Sequence, residues 1–340
     1  MPETITSSRE LPASERPADS ASRSRSAQQL PWWGRYGVLI TLVLLIVIFA
    51  LTTHGFATLS NFKIVAGSNS VAAILALGAL LPLMVGEFDL SVGANLEVAS
   101  VLVAVLVGKD HWSFWLAAII TVMITGTIGV INGGLVAYLG VSSFIATLAS
   151  GSVVSGLSLY LTNGQILFTG IPSGLRSFSQ GNAGPIPNLL IVAVIATVVL
   201  WYLTERTPGG RYVISTGLNK EAAQLMGLRV RALVVSSFAA SGLLAGIAGV
   251  LYLGRVGSAS SGVGTSFLLP ALAAGFLGAT TIRVGRFNVF GTMIAVALVA
   301  VGLSGLELNG APDWVAPVFD GGVLAAAIAA SRIAVLRSER

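Results

Sequence analysis

Apolar residues fill this chain in long stretches, and polar residues are concentrated between them. Ten stretches reach or approach the roughly 17 to 25 residues that a helix needs to cross the hydrocarbon core of a bilayer. They lie at 36–53, 66–85, 92–107, 114–137, 142–161, 189–204, 233–254, 266–281, 288–305 and 314–331. The pattern predicts an all-α, polytopic membrane protein with about ten transmembrane helices.

Composition agrees with a lipid environment. Apolar residues make up 54% of the chain and charged residues 10%, whereas about a quarter of the residues of a soluble domain are charged. Cysteine is absent, which excludes disulfides, iron–sulfur clusters and thiol nucleophiles.

The net charge of +5 is not a nucleic-acid signal, because the basic residues lie between apolar stretches instead of forming a patch. Cytoplasmic loops of membrane proteins are enriched in Lys and Arg. Ten helices with a cytoplasmic N-terminus place only Lys63, Lys109, Arg176 and Arg255 outside, of nineteen Lys and Arg residues in all. This bias predicts that both termini are cytoplasmic.

The polar stretch 1–30 has no apolar core and is expected to be a disordered cytoplasmic tail, not a secretory signal. Residues 31–335 are expected to form one transmembrane domain. Its outer connection, 162–188, is rich in Gly, Ser and Pro and is expected to be exposed and partly re-entrant. Its inner connection, 205–232, is strongly basic.

The inner connection contains a short capped helix. Asn219 is expected to accept a hydrogen bond from the first turn, Glu221 suits the positive helix N-terminus, and Gly227 is expected to end the helix in the left-handed conformation. An apolar side is supplied by Leu218, Ala222, Leu225 and Met226. Such a helix between two membrane spans is a docking element for another protein.

Two motifs resemble a known family. Glu221, Ala222 and Ala223, followed by Gly227, resemble the coupling loop of ABC importer permeases. Residues 86–93, Gly-Glu-Phe-Asp-Leu-Ser-Val-Gly, are similar to the Gly-Gly-Ile-Asp-Leu-Ser-Val-Gly motif of ribose-type permeases, with Glu87 in place of the second glycine. The resemblance covers roughly 36–335.

The resemblance implies a subunit of a bacterial inner-membrane sugar importer. Its expected partners are an ABC ATPase, an extracytoplasmic sugar-binding protein and a second permease copy. The ATPase-coupling residues would be Asn219, Glu221, Ala222, Ala223 and Gly227. No cofactor is expected in this chain, since none of its three lysines lies in a GxxxxGK[ST] loop; ATP and Mg would be bound by the ATPase.

Polar residues at membrane depth are costly and are therefore candidate functional residues. The candidates for the substrate pathway are Asp89, Asn95, Glu97, Asn132, Phe144 and Thr147. Structural alternatives stay open for three of them. Asp89 with Ser91 would cap the start of the third span, Asn132 would make an interhelical contact, and Phe144 would contribute to helix packing. No metal site is predicted, because His54 and His111 lie in separate loops without acidic neighbours at ligand spacing.

Most glycines are expected to allow close helix packing, notably the GxxxG pairs Gly129/Gly133 and Gly242/Gly246. Two functions remain in competition. The first is an ABC sugar permease, which is not an enzyme. The alternative is a proton-coupled secondary transporter, in which Glu97, Asp89 or Asp320 would carry protons.

Overall fold

The structure is a computed structural model that describes residues 32–338, with side chains described from 36 to 329. The tail predicted at 1–30 lies outside the described residues. The same is true of the side chains of Arg35, Arg332 and Arg337.

The described residues form thirteen α-helices. These are α1 (Trp32–Thr52), α2 (Leu59–Met84), α3 (Val92–Gly108), α4 (Phe114–Leu139), α5 (Ser143–Thr162), α6 (Ser173–Gln180), α7 (Asn188–Trp201), α8 (Pro208–Leu218), α9 (Lys220–Leu225), α10 (Val230–Val256), α11 (Gly264–Gly278), α12 (Val289–Leu308) and α13 (Val315–Ser338). A π-helical turn, Tyr202–Arg206, continues α7. A two-stranded antiparallel hairpin, β1 (Asn182–Ala183) and β2 (Ile186–Pro187), precedes α7.

Within the described residues, six helices are long and apolar enough to cross a membrane: α2, α4, α5, α7 with its π turn, α10 and α12. Four shorter apolar segments complete the set: Tyr36–Thr52, Val92–Gly108, Gly264–Gly278 and Val315–Ala329. These elements correspond one to one to the ten predicted stretches. The predicted all-α, polytopic membrane fold is therefore confirmed.

Helix α3 lies at the centre of the bundle. All its residues from Val92 to Val101 are buried, and it packs against α10, α5, α4 and α11. The main apolar core joins α2 and α3 to α7, α10, α11 and α12. Apolar side chains on the outer faces of α4, α5 and α7 are exposed, as expected for helices that contact lipid.

The predicted glycine contacts occur between α4 and α10, the most extensive helix pair of the fold. A Cβ atom added to Gly129 would lie 2.8 Å from the carbonyl carbon of Phe238. One added to Gly242 would lie 3.0 Å from the carbonyl carbon of Thr125. The two GxxxG pairs thus face the opposite backbone, which confirms their role in close packing.

The outer connection 162–188 contains α6 and the β1–β2 hairpin. Leu175 and Ser179 are buried, and α6 packs against α10. A backbone bridge between Leu167 and Ala259 joins this connection to the segment between α10 and α11.

Gly129→Ala is expected to lower the free energy of unfolding by about 1–3 kcal/mol, because the new methyl group meets backbone that cannot move aside. Gly134→Ala, on the same helix, is the matched control, since no atom lies within 4 Å of its added Cβ. The control is expected to be neutral or stabilising by about 0.5–1 kcal/mol. Denaturant titration in detergent measures both, and equal effects would contradict the packing interpretation.

Candidate functional site

The candidate site is built on the loop between α2 and α3, residues 85–91, which we call the junction loop. Gly86 adopts a left-handed φ of 78° and directs the chain away from α2. Two backbone N–H groups of the loop donate to side chains of α5: that of Phe88 to Ser143 Oγ at 3.2 Å and that of Leu90 to Thr147 Oγ1 at 3.0 Å. The loop is thereby attached to the start of α5.

Asp89 is fully buried in the junction loop. Its carboxylate accepts three hydrogen bonds, from the Ser91 N–H at 3.0 Å, the Ser91 hydroxyl at 2.6 Å and the Ser241 hydroxyl of α10 at 2.7 Å. A buried carboxylate is tolerated only with such donors. Ser91 is the N-cap residue of α3, as predicted, but its side chain makes no capping bond to the helix; its oxygen accepts from the side-chain amides of Asn95 and Asn132 instead.

Two buried amides extend this cluster. The Nδ2 of Asn132 donates to Ser91 Oγ at 3.0 Å, and the Nδ2 of Asn95 donates to the same atom at 3.3 Å. The Oδ1 atoms of both amides have no hydrogen-bond partner among the described residues. We call Asp89, Ser91, Asn95, Asn132 and Ser241 the polar cluster. It joins α3, α4 and α10 and is closed to solvent in this conformation.

Glu97 is also fully buried, but its contacts differ from those of the polar cluster. One carboxylate oxygen accepts the N–H of Gly264, the first residue of α11, at 3.0 Å. The other oxygen has no partner in the part of the chain that the structure describes. A carboxylate is favourable at a helix N-terminus, so Glu97 joins α3 to the start of α11.

The remaining candidates are dispersed. Thr147 contacts the junction loop, whereas Phe144, one turn earlier on α5, is exposed. Asp320 lies on α13, where its Oδ1 has no partner among the described residues. The described residues contain no group of His, Cys, Asp and Glu suited to a metal ion.

The predicted short helix is present as α9, and its caps are confirmed. Asn219 Oδ1 accepts the Ala222 N–H at 2.9 Å, and Gly227 has a φ of 82°. We call residues 219–227 the coupling segment. Ala223 is completely buried, whereas Leu225 and Met226 are 90% and 68% exposed. The segment therefore presents apolar side chains to its surroundings.

An ion pair between Lys220 and Glu87 links the coupling segment to the junction loop. Sequence analysis identified Glu87 as a departure from the family motif but did not pair it with Lys220. The partners Ser143, Ser241 and Gly264 were missed as well. The deviation at Glu87 was one signal that the sequence offered.

A family model described as "Branched-chain amino acid transport system / permease component" matches residues 61–328. The chain belongs to this family. It is accordingly a transport subunit and not an enzyme.

This permease is similar to several curated proteins over nearly its whole length. It is 29% identical to the D-allose transport system permease protein of Escherichia coli, over 92% of this chain and 97% of that protein. It is 33% identical to the ribose import permease protein of Bacillus subtilis, over 88% and 92% respectively. It is 29% identical to the galactose/methyl galactoside import permease protein of Salmonella typhimurium, over 91% and 97%. No solved structure matches significantly.

Ser241→Ala is expected to lower the permease's free energy of unfolding by about 1.5–3 kcal/mol, because it removes a buried donor from a carboxylate. Ser237→Ala is the matched control one turn earlier on α10, since the Ser237 hydroxyl donates only to the Val234 carbonyl of its own helix, at 2.7 Å. Its expected cost is below about 1 kcal/mol. Denaturant titration compares the two variants, and an equal loss would show that the contact with Asp89 contributes nothing of its own.

Proposed function

We propose that this chain is the membrane-spanning permease subunit of an ABC sugar importer. It moves a monosaccharide-like substrate across the bacterial cytoplasmic membrane, and ATP hydrolysis in a partner subunit supplies the energy. The observation that carries the proposal is the coupling segment: a capped helix between two membrane spans, with Leu225 and Met226 exposed.

The proposed topology has ten spans and both termini in the cytoplasm. The distribution of Lys and Arg over the loops supports it. It places the junction loop and the coupling segment toward the cytoplasmic side, where an ATPase would bind. The opposite side would receive an extracytoplasmic sugar-binding protein, and a second permease copy would complete the assembly.

The five predicted coupling residues take different parts in this proposal. Glu221, Ala222 and Gly227 are exposed and available to the ATPase, whereas buried Ala223 anchors the helix to the permease. Asn219 caps the helix and so maintains its shape. Exposed leucine and methionine beside them provide the apolar contact area that a stable interface requires.

The substrate class is supported by the relatives, which are named for ribose, D-allose and galactose or methyl galactoside. Sugars are recognised through hydroxyl groups that need acceptors and donors. Asn95 and Asn132 each hold a buried oxygen without a partner among the described residues. We place these residues on the substrate pathway, with Asp89, Glu97, Phe144 and Thr147, and expect the polar cluster to open when α4 and α10 separate.

Uptake in sealed vesicles distinguishes the proposed ABC importer from the alternative, a proton-coupled transporter. Vesicles that contain the permease, the ATPase and the binding protein should accumulate labelled sugar only when ATP reaches the ATPase. Uptake driven by a proton gradient without ATPase would favour the alternative.

Leu225→Asp is expected to weaken binding of the ATPase by about 30-fold, because it places a charge at the centre of an apolar contact. Transport-coupled ATP hydrolysis should fall together with binding. Gly227→Pro is also expected to weaken binding of the ATPase, because proline cannot adopt the positive φ at this position. Leu225→Met keeps the size and apolarity of the side chain and is the matched control. Pull-down of the ATPase by detergent-solubilised permease measures binding, and unchanged binding by Leu225→Asp would reject α9 as the docking element.

A further inference from the structure

Three contacts hold the coupling segment and the end of α8 that precedes it against the junction loop and the last residue of α2. Gly217 at the end of α8 packs directly against Met84, and a side chain at this position would collide with the Met84 backbone. Ala223 belongs to one apolar cluster with Val85 of the junction loop. The third contact is the ion pair of Lys220 with Glu87.

The junction loop is in turn bound to three spans. Its N–H groups contact Ser143 and Thr147 of α5. Asp89 binds Ser241 of α10, and the Ser91 hydroxyl accepts from Asn132 of α4. A displacement of the junction loop would therefore disturb the helices that enclose the polar cluster.

We propose that Lys220 and Glu87 are positioning residues that make the coupling segment and the junction loop move as one unit. The ion pair would then transmit displacement of the ATPase-bound helix to the polar cluster. This inference rests on the proposed function. It concerns a position at which this chain departs from the family motif, since Glu87 stands where that motif has glycine.

The ion pair is suited to this role by its placement. Gly217 and Ala223 resist motion of the segment toward the loop but offer little resistance to separation, because close packing is repulsive at short range and weak at longer distance. An ion pair attracts over several ångströms. The Glu87 side chain is only 15% exposed and that of Lys220 is 41% exposed, so water screens the attraction incompletely.

The test measures ATP hydrolysed per sugar transported, in proteoliposomes that contain the permease, the ATPase and the binding protein. Glu87→Gln and Lys220→Met are each expected to raise this ratio by about fivefold, the lower end of typical coupling effects, while the ATPase still binds. Lys220→Arg keeps the charge and is expected to keep the wild-type ratio.

A second ion pair provides a matched control. Arg283 and Glu205 lie 2.9 Å apart, with side chains 50% and 14% exposed, and do not involve the coupling segment. Arg283→Met is expected to leave the ratio unchanged. If Glu87→Gln and Lys220→Met behave like Arg283→Met, the inference is overturned. If the wild-type protein transports without ATP, the proposed function itself has failed.

A crosslinking experiment tests whether the two segments move together. The chain contains no cysteine, so Glu87→Cys and Lys220→Cys can be combined without any other reactive thiol in the permease. The double variant is expected to be as poorly coupled as the single variants, and a short thiol-reactive crosslinker should restore the ratio. Transport that stops on crosslinking would show that the segments must separate in each cycle, which contradicts the inference.

Discussion

The structure depends on a single constraint: each backbone polar group that is buried away from water must find a partner. Helices meet this constraint locally, but the junction loop between α2 and α3 does not. There the N–H groups of Phe88 and Leu90 donate to Ser143 and Thr147, and that of Ser91 donates to Asp89. The polar residues around the loop follow from this need. The same residues bring α4, α5 and α10 together around α3.

The helical architecture could be predicted from the sequence because hydropathy directly reflects transfer into lipid. All ten apolar stretches correspond to helices or helical segments. The predicted first and last residues of the helices were less accurate. Helix α2 begins at Leu59, seven residues before the predicted stretch, because Thr58 caps it through the Asn61 N–H and its first turns are exposed. Helix α6 was missed, since eight amphipathic residues give no span-length signal.

The candidate site was predictable where the interaction is local. The Asn219 cap and the Gly227 terminus depend on neighbouring residues, and both are confirmed. The polar cluster depends on contacts across the bundle: Ser241 lies 152 residues from Asp89. Sequence patterns identified Asp89, Asn95 and Asn132 individually but could not show that Ser91 holds them together. The pathway role of these residues remains a prediction.

The contact between Glu97 and Gly264 has a consequence for how the protein is made. The two residues are 167 positions apart, and chains are synthesised at about 5–20 residues per second, so roughly 10–30 seconds separate the appearance of the carboxylate from that of its donor. During this interval the hydrogen bond between α3 and the start of α11 cannot form, so the position of α3 against α11 is fixed only late in synthesis.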